Sequence, residues 1–466
     1  MRAVALSIFA LVMITAATAR ADQGVAASKD LLQDVRTFEV QVVDADRAYS
    51  PAARGEAKAR VRALEAAVGT LSPLAIQIEI CRIAALADNG HTGCQSSPVA
   101  RPVDIGFYPL NGGFYVFSAA AGEVDLLGGQ LMAIDGHPVL QARRVARTLF
   151  GGRPAWRDLN TSYAYSRPAV LHALGLGRED GAAVYRIRTR DGRMVERRLQ
   201  VTQTDVPAIG ILSPERTPWS WQDLGTRLRW RDAPEHGAIV VQMRSNMDQP
   251  GHPIGEFLAE VERQRAALGR KTVILDLRSN GGGDLTLTNA FLAGWPQRIG
   301  PGGRFIVMIG SRTFSAGIAG AAYLKQAGGR QVTLVGAPAG DGLTFFAEGR
   351  NVQLQAIGLV VRPATERDDF RDACRPYADC HAALAQPGGP TATPAERAAG
   401  IKRMPVAVAS LEPDVDAPTT IGDYLSGRDS GMAAALDLAR RCDGATCEAE
   451  TQGIAGPGAP TSAGPA

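Results

Sequence analysis

Two short apolar runs near the middle of the chain organise the rest. Val273-Ile274-Leu275-Asp276-Leu277 leads into Ser279-Asn280-Gly281-Gly282-Gly283, and Phe305 to Ile309 leads into Ser311-Arg312-Thr313-Phe314-Ser315. Runs of this length, bounded by Gly and Ser, read as buried strands. A helix of small residues follows the second. Ala238–Met243 and Val332–Val335 are further apolar runs, the latter leading into Gly336-Ala337-Pro338-Ala339-Gly340-Asp341-Gly342. Between them, Ile254, Phe257, Leu258 and Val261 fall on one helical face, stopped by Gly269. This alternation from about residue 206 predicts a largely parallel sheet with helices packed on it. Such sheets place ligands at the carboxyl ends of their strands.

Upstream the pattern differs. Residues 28–86 read as helical: Leu31, Leu32, Val35 and Phe38 keep helical spacing, and Ser50-Pro51 and Ser72-Pro73 are helix starts. Leu74, Ile78, Cys81 and Ala85 share a face of the third helix, which ends in the polar turn Asp88-Asn89-Gly90-His91-Thr92. Residues 99–205 form a β-rich module. Phe114–Phe117 is a strand, Leu126 to Val139 is strand, Asp-Gly turn and strand, a helix runs from about Gln141 to Leu149, and residues 184–201 alternate around Asp191-Gly192. Residues 381–404, rich in Ala, Pro and Gly, read as a surface loop, Met432–Arg440 as a last helix, and 449–466 as a disordered tail.

The first residues change the picture of where the chain works. Arg2, an apolar run from Val4 to Ile14 and the small residues ending at Ala21 form a secretory signal pattern with cleavage after Ala21. A secreted or periplasmic protein is expected, with no integral membrane segment after cleavage. Lys plus Arg number 50 against 47 Asp plus Glu, so charge offers no reason to expect a nucleic-acid partner. Removing Arg2 and Arg20 leaves 50 − 2 − 47 = +1. The six cysteines fall in three local pairs, Cys81 with Cys94, Cys374 with Cys380 and Cys442 with Cys447; their even number in an exported chain suggests disulfides, with all fifteen full connectivities open. No metal or other cofactor is expected.

The two strand-to-loop corners offer the parts of acyl transfer: glycine amides at one, a hydroxyl opening a helix at the other. Ser315 is the candidate nucleophile, with helix capping as its plainer role. Gly281–Gly283 let backbone approach a ligand, with a tight turn as the plainer role. Asp276 and Arg278 read as an ion pair shaping the loop. Alone, His91 reads as a surface histidine in a polar turn.

The motifs together resemble one family. Asp276-Leu277-Arg278-x-Asn280-Gly-Gly-Gly, Arg312-Thr313-Phe314-Ser315-Ala316-Gly317 and Gly336-x-Pro-x-Gly look like those of the tail-specific (C-terminal-processing) serine peptidases. Asp88-Asn-Gly-His91-Thr and Pro413-Asp414-Val415 resemble the tricorn-core-like branch, and the Ile-Asp-Gly-x-Pro-Val run near residue 134 resembles PDZ domains. The resemblance spans roughly residues 75–440. It implies an α/β, crotonase-like (ClpP-like) core over 206–448, after a signal peptide (1–21), a helical N-terminal region (22–98) and a PDZ-like module (99–205). It implies Ser315 as nucleophile and an oxyanion hole from Gly282 or Gly283 and Ala316. The processing branch carries a lysine some 25 residues after its serine. Here that region is Ala339-Gly340-Asp341-Gly342, and Lys325 comes too early. His91 is therefore the expected base, with Glu348 as the first choice of acid and Asp341 as the second. The expected activity is hydrolysis of a peptide or protein substrate. The alternatives are a peptide-binding protein without catalysis and a hydrolase of non-peptide esters.

Overall fold

The computed structural model describes residues 28–371 and 401–441, apart from residues 97, 99, 203–207 and 405. The leader, the two C-terminal cysteine pairs, most of the 381–404 segment and the 449–466 tail lie outside the described residues. The chain begins with helices α1 (Ser28–Phe38), α2 (Pro51–Ala67) and α3 (Pro73–Ala85). Ser50 and Ser72 cap α2 and α3 through side-chain bonds to Ala53 N and Ala75 N, each followed by proline in the first turn. Strand β1 (Gly93–Cys94) follows.

The β-rich region contains β2 (Ile105–Leu110), β3 (Gly113–Ala119), β4 (Gln130–Ile134) and β5 (His137–Pro138). Helices α4 (Val139–Ala146), α5 (Pro154–Thr161) and α6 (Pro168–Ala173) come next, then β6 (Ala182–Arg188), β7 (Met194–Gln200) and β8 (Ile209–Gly210). Its antiparallel sheet runs β2-β3-β4-β6-β7, with β5 on β4 and β8 on β3. The Asp191-Gly192 hairpin joins β6 to β7 as the alternation predicts.

The remaining elements are β9 (Leu228–Ala233), β10 (Ala238–Met243), α7 (Ile254–Ala267), β11 (Thr272–Asp276), α8 (Asn289–Ile299), β12 (Arg304–Ile309), α9 (Ala316–Gly328) and β13 (Val332–Gly336). Then come β14 (Thr344–Ala347), β15 (Val352–Leu354), β16 (Leu359–Arg362), β17 (Glu366–Asp369), β18 (Ile401–Arg403), β19 (Val415–Asp416), α10 (Ile421–Leu425) and α11 (Ser430–Arg441). The central sheet has the order β19-β13-β12-β11-β10-β9, parallel except for β9. Side chains alternate across it. Val273, Leu275 and Val307 pack on one face with Leu258 of α7, Trp295 of α8 and Ile318 of α9. Ile274, Ile306 and Met308 pack on the other with Met432 and Ala435 of α11. Both faces are covered, which is why these strands read as unbroken apolar runs.

Two strand pairings depart from the sequence reading. β18 pairs with β17, so residues 401–403 are part of a small sheet rather than surface loop. The β15–β16 hairpin joins β1, and its Leu354, Leu359 and Val361 pack with the N-terminal helices. Among the described residues no helix is long and apolar enough to cross a membrane.

Candidate active site

Ser315 sits between β12 and α9. Its backbone takes φ 52, ψ −122, outside the usual region for a residue with a Cβ, and its side chain makes no capping hydrogen bond. Conformations of this kind cost about 1–3 kcal/mol and persist where the surroundings impose them. Those surroundings are the glycine corner. Phe314 N donates to Asn280 O at 2.9 Å, and the Thr313 hydroxyl donates to Leu277 O at 2.8 Å. The two corners are thus stitched edge to edge. A Cβ on Gly282 would lie 2.7 Å from Ser315 Cβ and 3.2 Å from Ala316 N, so only glycine leaves the space beside the hydroxyl open.

Three amides were expected at this point. Gly282 N–H is taken by Asn280 Oδ1 at 2.9 Å, which locks the loop and removes that donor. Gly283 bridges Asn246 in parallel: Asn246 N donates to Gly282 O and Asp284 N to Asn246 O. This pattern turns Gly283's own N–H away from Asn246. The Gly283 and Ala316 N–H groups make no hydrogen bond among the described residues. They are the two donors left for an oxyanion.

His91 is buried, not a surface residue. Its ring is stacked between Phe314, at 4.3 Å between centroids, and Phe345, at 4.9 Å. Its turn is pinned from below. Asn89 spans to the Phe346 backbone, donating to O at 2.9 Å and accepting from N at 3.3 Å. The Thr92 hydroxyl donates at 2.6 Å to buried Asp46, which also accepts from Ala364 N at 2.6 Å. The Cys81–Cys94 disulfide closes the loop that contains the turn.

The two acids stand differently. Asp341 Oδ2 lies 3.5 Å from His91 Nδ1, both side chains being nearly buried. Glu348 is exposed, in a left-handed turn after β14 at φ 59. The expected order of preference is therefore reversed on geometry. The sequence supplies spacing only. Gly340, next to Asp341, packs where a Cβ would lie 2.4 Å from Ser311 O and 3.1 Å from Trp156. Neither ring nitrogen of His91 has a hydrogen-bond partner among the described residues, and Asp341 Oδ2 has none.

Sequence reasoning missed Trp156. It stacks on Phe314 at 3.8 Å and 3°, on the opposite side from His91. Its helix, α5, touches all three converging loops: Arg157 pairs with Asp88, and Arg153 Nη1 donates to Ala339 O at 3.2 Å. The only sequence signal is a Gly151-Gly152 pair before a proline-led helix start. Gly151 and Gly152 pack against the Asn89–Gly90 backbone, where side chains would collide.

The expected Asp276–Arg278 pair exists and is larger than expected. Arg278 binds Asp276 at 2.9 and 2.8 Å and Asp429 at 2.7 and 2.8 Å. Burial works against ionising Asp429, but the Arg278 charge and its hydrogen bonds prevail and hold it down to about 2. Lys325 pairs with Asp414 at 3.1 Å.

No family model matches the chain, and no curated protein matches it. Solved structures do. Mature CPAF complexed with lactacystin is 14% identical and matches with a TM-score of 0.52 over 89% of this chain and 98% of that one. A serine-to-alanine mutant of CPAF is 15% identical, with a TM-score of 0.54 over 89% and 97%. At this identity the likeness shows the fold.

Proposed function

We propose that this chain is an exported serine peptidase of the tail-specific family, with a crotonase-like core, a PDZ-like β-rich module and a helical N-terminal region. One observation carries the reading: Ser315 is held at a strained strand-to-helix corner, uncapped, against a glycine that leaves its hydroxyl clear. The fold shared with CPAF and the lactacystin bound there support it.

In the proposed reaction Ser315 Oγ attacks the carbonyl carbon of a peptide bond, and His91 Nε2 takes its proton. Gly283 and Ala316 N–H groups receive the oxyanion. The C–N bond then breaks as His91 returns the proton to the leaving amine. Water adds to the acyl-enzyme by the same route and releases Ser315. Asp341 accepts from His91 Nδ1–H and holds the tautomer that presents Nε2. The hydrogen bonds among these groups tighten when substrate is bound. Ser315→Ala is expected to abolish hydrolysis of a casein or mixed-peptide substrate while leaving the circular dichroism spectrum unchanged. Retained hydrolysis refutes the assignment.

A further inference from the structure

The helical N-terminal region reaches the His91 turn through one carboxylate. Asp46 lies in the link between α1 and α2 and is fully buried. Just before it, Glu39–Asp44 is wound as a π-helix, a rare form that recurs at functional sites.

The two oxygens of Asp46 do different jobs. Oδ1 accepts from Ala48 N at 2.7 Å, a local turn of the kind aspartate makes in many loops. Oδ2 accepts two bonds from far along the chain. One comes from the Thr92 hydroxyl at 2.6 Å, 46 residues away, and the other from Ala364 N at 2.6 Å, 318 residues away. Burial pushes this carboxyl up, while the bonds from Thr92, Ala364 and Ala48 and the charge of Arg54 work against it. A carboxylate buried this deeply is costly without its donors, so it fixes where they stand.

The two distant donors lead to the base and to a ring it rests on. Thr92 follows His91, and its hydroxyl oxygen also accepts from Asn89 Nδ2 at 3.1 Å, which sets the turn that carries the imidazole. Ala364 lies in the link from β16 to β17, and its neighbour Thr365 donates through N to Ala347 O at 2.9 Å. Ala347 ends β14, the strand whose Phe345 stacks on His91 at 4.9 Å. One oxygen therefore ties the turn bearing the base to the strand bearing a ring stacked on it. A second carboxylate, Asp34 of α1, offers a contrast. Its Oδ2 accepts from Ala356 N at 2.7 Å and Ile357 N at 3.0 Å, and both bonds stay on the β15–β16 hairpin.

We propose that Asp46 is a positioning residue for His91, acting through the Thr92 hydroxyl and the Ala364 amide to fix where the imidazole sits. This rests on the peptidase reading, and it makes the N-terminal helices part of the catalytic apparatus without any contact to substrate.

The test uses the full-length protein, at a temperature where circular dichroism shows each variant folded. Thr92→Val removes the hydroxyl and keeps the shape, and Thr92→Ser keeps the hydroxyl. Thr92→Val should lower kcat about tenfold or more with KM little changed, since misplacing a catalytic group by an ångström can cost about 10². Thr92→Ser should recover most of the parent rate. Asp46→Asn, which puts an amide where backbone and hydroxyl donors point, should fall with Thr92→Val. Asp34→Asn should leave kcat at the parent value. The ring itself is read by NMR of histidine-labelled protein. Stacked between Phe314 and Phe345, His91 should give an upfield-shifted ring-proton signal that is absent from His91→Ala. That shift should collapse in Thr92→Val and in Asp46→Asn. A parent kcat in Thr92→Val, a His91 signal unmoved in both variants, or an equal kcat loss in Asp34→Asn overturns the proposal. If the parent protein neither hydrolyses peptide nor labels with a serine-reactive probe, the peptidase reading fails, and the His91 signal alone decides whether Asp46 and Thr92 place the ring.

Discussion

Two polar clusters lie beside the loops that follow β11 and β13, and they are built on opposite terms. Around Arg278, the bonds to Asp276 and Asp429 run at 2.7–2.9 Å, and Ser220 also donates to Asp429. Around His91, both ring nitrogens, Asp341 Oδ2 and Trp156 Nε1 are buried without partners. Buried polar groups are nearly always paired, so a cluster of unpaired ones calls for a reason that stability does not supply. The first cluster is saturated and holds the glycine corner in place. The second leaves its buried polar groups unpaired among the described residues.

Breaking each cluster should therefore fail in a different way. His91→Ala is expected to cost about 10⁴ in kcat, as loss of a base does. Asp341→Asn should follow it at about 10² to 10⁴, whereas Glu348→Gln should stay near the parent rate. A large loss from Glu348→Gln with none from Asp341→Asn would reverse the acid assignment. Arg278→Ala should do the opposite, lowering unfolding free energy by about 3–5 kcal/mol because two buried carboxylates lose their counter-ion. Denaturant unfolding measures it.

The same cluster predicts an acid sensitivity. Asp429 is held down to about 2 in the fold, against a usual value of about 3.9 when unfolded. Its contribution, about 2–3 kcal/mol, is present above the unfolded value and is lost as pH falls from about 4 towards 2. Asp429→Asn should flatten the dependence of melting temperature on pH in that window. An unchanged slope would show that the pair contributes nothing there.

The smallest effect is expected at Trp156. Trp156→Ala should lower kcat about tenfold with KM little changed, because the stack that sets Phe314 and His91 is lost. Trp156→Phe keeps a ring on Phe314 and should restore the rate. An unchanged kcat in Trp156→Ala would remove Trp156 from any positioning role.

What could be read from the sequence followed from physical range. The central strands, the Ser50 and Ser72 caps and the Asp191-Gly192 hairpin depend on neighbours a few residues apart, and all form as the pattern predicts. The Asp276–Arg278 pair is local and was legible, but Asp429, 151 residues away, was not. The meeting of His91 with Phe314, Phe345 and Asp341 belongs to tertiary structure, and resemblance rather than periodicity brought His91 into consideration. Asn280's capture of the Gly282 amide had no signal in composition or spacing, and Trp156's place on Phe314 had only the Gly151-Gly152 pair before its helix. Each is a contact made by one side chain, across a turn or from another lobe.

Under the proposed function, Ser315 is a nucleophile held at the corner between β12 and α9. Treating the intact protein with a fluorophosphonate probe and mapping the adduct by peptide mass spectrometry tests it directly. The account predicts one covalent adduct, on Ser315, absent from Ser315→Ala and strongly slowed in His91→Ala. An adduct on another serine with Ser315 unmodified, or no adduct on protein shown to be folded, would contradict it.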